Sequence, residues 1–284
     1  MTPGLLFTVY CNLYMLFSLG ILKGSYLFPM LICACVPLAV LIIFLMRFTE
    51  QQRANGRLVE DMRQAQEVQQ MLISTEATST PGFFVEHVYL PASEVGGDFF
   101  QVLPANDGSL LIVIGDVSGK GLKAAMTVSA IVGALRGCAL RAPAEVLAHL
   151  NRVLHGQIGG LVTCCAALIS ADGGMTLANA GHLSPYLNGE ELAVAGGLPL
   201  GISANGNYEE AHHTLAPGDR LTFVSDGVVE ATNARHELYG FERTRAISNQ
   251  PANSIAEAAK RWGQEDDITV LTIARVAELR EAIA

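Results

Sequence analysis

Two long uncharged runs, residues 5–22 and 26–46, open the chain and are separated only by Lys23, Gly24 and Ser25. At about 1.5 Å per residue either run can cross a hydrocarbon core as a helix, so the pattern predicts a two-helix transmembrane hairpin. Neither run has a polar stripe to face water, which disfavours a hairpin packed on a soluble core. A cleaved signal peptide fits less well, because residues 1–4 lack Lys and Arg and the apolar pattern resumes directly after Ser25. Polar sequence rich in Gln, Arg and Glu fills residues 47–75. Within it Leu58, Met62, Ala65 and Leu72 follow a four-and-three spacing, with Gln69 at its one polar place. That spacing predicts a helix able to pair with a second copy of itself, and a solvated helix extending the second span satisfies it equally. The stretch Thr78-Ser79-Thr80-Pro81-Gly82 reads as a linker.

Beyond the linker the period changes. Residues 83–89 and 110–114 read as strands, the second a continuous apolar run suited to a sheet interior. Helices are predicted at 122–140 and 143–158, the latter with Pro143 near its first position, where a missing N–H costs little. Strands follow at 161–169, 175–180, 185–187, 191–194 and 221–224, with turns at Asp172-Gly173-Gly174 and Asn188-Gly189. Helices at 237–247 and 255–262 precede a last strand at 268–273. Strands in succession around two central helices favour an α+β fold of antiparallel sheets flanked by helices over repeated βαβ units.

Composition refines this picture. A chain of 284 residues accommodates one domain plus an appendage. Its net charge of −9 resides wholly from Ala77 onward, which disfavours nucleic acid as a partner. Arg47, Arg53, Arg57 and Arg63 follow the second apolar run, against Lys23 alone between the runs, so the C-terminal bulk is expected on the cytoplasmic side of the plasma or inner membrane. Cys11, Cys33 and Cys35 lie in the runs, and Cys138, Cys164 and Cys165 read as buried free thiols. Cys164 and Cys165 lack a second pair at zinc-ligand spacing, so thiolate metal binding is not expected.

The candidate chemistry is acidic. Gly-Gly-Asp98-Phe-Phe, Gly-Asp116-Val-Ser-Gly, Ser-Asp226-Gly and Asp266-Asp267-Ile-Thr each set a small carboxylate beside glycine or at the end of an apolar run. An Asp before Gly is by itself usually a turn residue. Four in this order read better as one divided metal site, since hard divalent cations take carboxylate oxygens. Two imitations fall away. The Gly-Gly-Asp98-Phe99-Phe100 string lacks the Glu of a diguanylate cyclase signature, and Gly115 to Gly121 has too few residues before Lys120 for a P-loop, with Gly where Ser or Thr should hold Mg²⁺.

Six ordered segments carry a resemblance: Ser93-Glu-Val-Gly-Gly-Asp98-Phe-Phe, Gly115-Asp-Val-Ser-Gly-Lys-Gly-Leu, Ala178-Asn-Ala-Gly-His182, Gly197-Leu-Pro-Leu-Gly-Ile202, Ser225-Asp-Gly-Val-Val-Glu230 and Asp266-Asp-Ile-Thr269. Over about residues 60–276 the chain resembles the SpoIIE/RsbU-type branch of the metal-dependent protein phosphatase 2C (PP2C) superfamily. The resemblance implies a β-sandwich flanked by helices, with two Mn²⁺ or Mg²⁺ ions and a metal-activated water acting on phosphoserine or phosphothreonine. It makes Asp116 the bridging ligand, with the Val117 carbonyl beside it. Asp98 serves one ion, directly or through water, and Asp226 and Asp266 serve the other. Asp116 and Asp98 are thus the catalytic candidates. Asp267 stands where many members carry Asn and is expected to orient its neighbours; an alignment shift of one residue exchanges it with Asp266. Gln101 replaces an acid that the branch often has.

His182 could donate a proton to a leaving oxygen, yet its turn lies away from the acidic motifs and favours a structural role. Lys120 reads as a loop lysine that could also attract phosphate. The Gly196 to Gly201 loop is expected to shape the substrate entrance. The resemblance further implies a phosphorylated protein substrate such as an anti-anti-sigma factor of the STAS type, in bacterial partner switching. The competing reading is a noncatalytic, membrane-tethered docking module that keeps the fold. The expected organisation is a hairpin at 1–46, a helical linker at 47–79, the phosphatase domain at 80–276 and a tail at 277–284.

Overall fold

The structure, a computed structural model, describes residues 11–12, 14–16, 18–20, 27–73, 81–93, 95–139, 141–156 and 160–276. Most of the first predicted span, and the turn after it, lie outside these residues. The second span and the polar segment after it are one helix, α1 (Leu27–Ile73), with Pro37 inside it. Residues 35–53 are its apolar stretch, and among the described residues this is the one helix long and apolar enough to cross a membrane. The two-helix hairpin is therefore not established. The chain divides into a unit of residues 1–61 and a unit of residues 62–284, so the last turns of α1 belong with the globular part.

The globular unit holds β1 (Phe83–Leu90), β2 (Asp98–Pro104), β3 (Leu110–Val117), α2 (Leu122–Arg136), α3 (Pro143–Leu154), β4 (Val162–Ile169), β5 (Gly174–Ala180), β6 (Tyr186–Leu187), β7 (Glu190–Glu191), β8 (Glu210–Thr214), β9 (Arg220–Val224), α4 (Asp226–Val229), α5 (Gly240–Ile247), α6 (Ala252–Gly263) and β10 (Ile268–Arg275). One sheet runs β1-β10-β9-β6-β7 and the other β2-β3-β4-β5-β8. Every pairing within them is antiparallel.

Apolar periodicity explains the layering. In α6 the buried positions Ala252, Ile255, Ala256 and Ala259 recur at helical spacing. They pack with Ile268 and Val270 of β10, whereas Leu271 and Ile273 of the same strand join the larger core. β10 is thus covered on both faces, which is why it reads as a continuous apolar run. On the other sheet Val146, Leu147, Leu150 and Leu154 of α3 enter the larger core with β3, β4 and β5. The arrangement is two sheets between helices.

Differences from the sequence pattern are local. Strands β2 and β8 lie where no strand is expected. The first has five buried residues in a row beginning at Asp98, so it shows no alternation. The second alternates exposed and half-buried residues on a sheet edge, Glu-Ala-His-His-Thr, and has no apolar face to announce it. The helix expected to reach residue 140 ends at Arg136, where Gly137 N–H bonds to Gly133 O. The Asn188-Gly189 hairpin turn has positive φ at both residues, as a type I′ turn requires.

Candidate metal centre

Antiparallel geometry brings the acidic motifs to one end of the sandwich. Asp98 opens β2 and lies directly opposite Asp116, near the end of β3. Asp226 follows the end of β9 and opens α4, while Asp266 and Asp267 immediately precede β10. Each sheet supplies strand ends to the same edge. One oxygen from each of Asp98, Asp116 and Asp226 lies within 4.8 Å of the others. Like charges set directly across a strand pair destabilise a sheet, so this placement costs the fold stability unless a cation or protons compensate it.

The electrostatics carry that cost. Burial raises the Asp98 carboxyl well above the usual carboxylate range, against the hydrogen bond from Thr269, and the nearby Asp116 charge raises it further. Asp116 is pushed up to about 7, first by burial and then by Asp226, Asp266 and Asp267. Asp226 is raised by burial and by Glu230 and Asp266. A set of hard oxygen donors, desolvated and mutually repelling, fits Mn²⁺ or Mg²⁺, whose charge would remove the repulsion.

Neighbouring groups hold the carboxylates in place. Thr269 Oγ1 donates to Asp98 Oδ2 at 2.5 Å and so links the two sheets. Ser225 Oγ donates to the Asp267 carbonyl and accepts from Thr269 N. Asp267 is 5% exposed, and its two oxygens accept from Ala92 N at 2.8 Å and Gly97 N at 2.7 Å. Asp266 is not one of the three converging carboxylates. Its Oδ1 lies 3.3 Å from Lys120 Nζ and accepts from Asp267 N. Gly97 is glycine for a steric reason, since a Cβ there would stand 2.4 Å from the Val117 carbonyl oxygen and 2.8 Å from Asp116 Oδ1.

The remaining candidates are not among the three converging carboxylates. His182 is buried, which lowers its imidazole to about 4, and its Nδ1 shares a hydrogen bond with Thr163 Oγ1. Its backbone N–H bonds to Asn179 Oδ1, so the Asn-Ala-Gly-His turn closes on itself. Gln101 is buried on β2, where its Oε1 accepts from Arg136 Nε at 3.2 Å. Lys120 also donates to the Glu265 carbonyl. A cavity of about 70 Å³ adjoins Val117, walled by Ser118, Gly119, Lys120, Lys123, Thr127 and Gly160 among others. Cys164 and Cys165 are buried free thiols.

Three supporting residues have no role assigned from the sequence. Ser225, just after β9, and Thr269, on β10, belong to the quoted motifs and are fully buried polar side chains beside apolar runs, which is the signal available for them. Tyr89, whose buried hydroxyl has no hydrogen-bond partner among the described residues and whose phenol is raised by burial and by Asp267, Asp98 and Asp116, sits on a strand that gives no such signal.

Two helix-flanked antiparallel sheets with carboxylates converging at one end make a PP2C-like fold. The family model described as Stage II sporulation protein E (SpoIIE) matches residues 106–276, and the chain belongs to this family. Phosphoserine phosphatase RsbU of Bacillus subtilis (strain 168) is 27% identical over 259 residues, covering 83% of this chain and 77% of the relative. The SiaA-PP2C domain of Pseudomonas aeruginosa superposes with a TM-score of 0.65 at 22% identity, covering 78% of this chain and 98% of that one. The RsbU and RsbW domains of Rv1364c from Mycobacterium tuberculosis give a TM-score of 0.55 at 26% identity, over 70% of this chain and 62% of that one.

Proposed function

We propose that this chain is a membrane-anchored, metal-dependent phosphatase that hydrolyses phosphoserine or phosphothreonine on a protein in a bacterial partner-switching pathway. The observation that carries the catalytic part is the convergence of Asp98, Asp116 and Asp226 within 4.8 Å from both sheets. In this reading two Mn²⁺ or Mg²⁺ ions are held by Asp98, Asp116, the Val117 carbonyl, Asp226 and Asp266. Asp116 would serve both. The ions supply a nucleophilic water at neutral pH and neutralise phosphate charge. The chain's own groups do the positioning: Thr269 orients Asp98, and Asp267 anchors the loop that precedes it.

Support for Asp266 over Asp267 as a ligand comes from hydrogen bonding. Both Asp267 oxygens accept from backbone N–H groups, and while Asp267 raises Asp116 and Asp98, it is Asp266 that raises both Asp116 and Asp226. The lysines at the cavity beside Val117 suit the approach of a phosphate. His182, buried and held neutral, suits a structural role.

Membrane attachment is supported by the unburied apolar stretch of α1, where Leu38, Leu41, Ile42, Phe44 and Leu45 are exposed. A second span at 5–22 and a cytoplasmic catalytic domain complete that reading, with the linker helix pairing two copies. The relative named phosphoserine phosphatase RsbU, and the RsbU and RsbW domains joined in Rv1364c, support a regulatory phosphoprotein as substrate, with a STAS-type anti-anti-sigma factor as the candidate class. The test is Mn²⁺-dependent release of phosphate from a phosphoserine protein. Activity unchanged in an Asp116→Asn, Asp226→Asn double variant would sink the catalytic assignment of this site, and a wild type that releases no phosphate would favour the noncatalytic docking reading.

A further inference from the structure

Gln69, the polar member of the four-and-three spacing, is 3% exposed near the end of α1. Its amide is spent on a single backbone residue. Nε2 donates to Gly96 O at 2.7 Å, and Oε1 accepts from Gly96 N at 3.2 Å. A side chain that answers both backbone groups of one residue acts as a one-residue strand partner, and burial makes leaving either group unmet costly.

The opposite side of the same residue is equally crowded. A Cβ on Gly96 would stand 2.2 Å from Asp267 Oδ2 and 2.3 Å from the Tyr89 hydroxyl. The next residue is tied twice, with Gly97 N donating to Asp267 Oδ2 and Gly97 O accepting from Val117 N at 3.1 Å. Asp98 comes immediately after. The segment that aims Asp98 and faces the Val117 carbonyl is therefore clamped between Asp267, which precedes β10, the end of β3 and the last turns of α1.

We propose that Gln69 is a positioning residue of the metal centre: from the end of α1 it locks the Gly96 backbone and thereby sets how tightly the carboxylates hold a divalent cation. The inference rests on the metal-dependent phosphatase reading. It also gives the linker helix a second task, since the polar member of a seam that could pair two copies is engaged on the catalytic unit. Length matters as much as chemistry. Asn carries the same amide on a stem one methylene shorter and cannot reach both Gly96 groups, while Met keeps the volume and loses both bonds.

The test uses the full-length protein in detergent, as wild type, Gln69→Met and Gln69→Asn. Mn²⁺ affinity is measured by calorimetric titration, and phosphate release from a phosphoserine peptide is followed against Mn²⁺ concentration. Backbone hydrogen exchange at Gly96 is read in the metal-free protein. Supporting ligand-orienting contacts are typically worth 10–100-fold in metal affinity. Both variants are expected to bind Mn²⁺ about 10-fold more weakly, to lose protection at Gly96, and to recover most of kcat at saturating Mn²⁺ with the peptide KM unchanged. Affinity within twofold of a wild type that binds and hydrolyses, in whichever variant folds, overturns the proposal alone. A wild type that binds no Mn²⁺ overturns the phosphatase reading and this proposal together.

Discussion

At the residue scale the acidic cluster is a set of groups that the folded chain holds against their own preference. Asp116 shows the consequence most directly. Its carboxyl, raised to about 7 in the folded protein, binds a proton more readily there than in the unfolded chain. The associated stability is present at low pH and is lost as pH rises through about 7. The melting temperature of metal-free protein should therefore fall between pH 5 and pH 8, by about 5 °C or more, and Mn²⁺ should abolish most of that fall by compensating the carboxylates. Differential scanning calorimetry with and without Mn²⁺ checks this, and a metal-free melting temperature that rises over the same interval contradicts it. Replacing Asp116 by Asn removes the negative charge that a cation needs. Phosphate release should drop at least about 100-fold while the metal-free protein becomes more stable above pH 7, a paired outcome that separates a site residue from a packing residue.

Asp267 behaves differently from its neighbour. With one oxygen on Ala92 N and the other on Gly97 N, it resembles a clamp more than a ligand. Asp267→Ala leaves two backbone donors unmet and should cost roughly 2–4 kcal/mol of stability, read from urea unfolding with and without Mn²⁺. Asp266→Ala, at a more exposed position salt-bridged to Lys120, should leave metal-free stability within about 0.5 kcal/mol and weaken Mn²⁺ binding.

At the element scale, strand order decides which motifs can meet. Antiparallel pairing returns the end of β3 to the start of β2, and the end of β9 to the start of β10, so motifs more than a hundred residues apart share one edge. The helices secure the sheets from outside. Ile255 of α6 is fully buried against β10, and Ile255→Ala should destabilise the protein by about 2–5 kcal/mol. Because that contact is on the far side of β10 from the larger core, kcat of the surviving folded fraction should change little. Thermal unfolding with activity normalised to folded protein measures both. The elements most legible in the sequence were those with a clear period or punctuation: α3 with its proline start, α6 with its i, i+3, i+4 face, and the Asn188-Gly189 hairpin. β2 was hidden because burial on both faces erases alternation, and β8 because an edge strand needs no apolar face.

At the scale of the whole molecule, one continuous α1 joins a stretch apolar enough for a membrane to turns that belong with the catalytic unit. Membrane anchoring predicts that the full chain sediments with membranes and resists extraction by high salt or alkaline carbonate, and that detergent releases it. Recovery in the soluble fraction without detergent would remove the anchor from the functional reading.

The sequence by itself determined the class of chemistry, because six ordered motifs and hard oxygen ligands are properties of residue identity and spacing. It also determined the antiparallel α+β class, since strands in succession leave no room for helical crossovers. Tertiary contacts alone set which carboxylates converge, that Thr269 binds Asp98 across the sheets, and that Gln69 reaches Gly96. Those contacts join residues distant in sequence, and no local periodicity encodes a distance that strand register and helix docking set together.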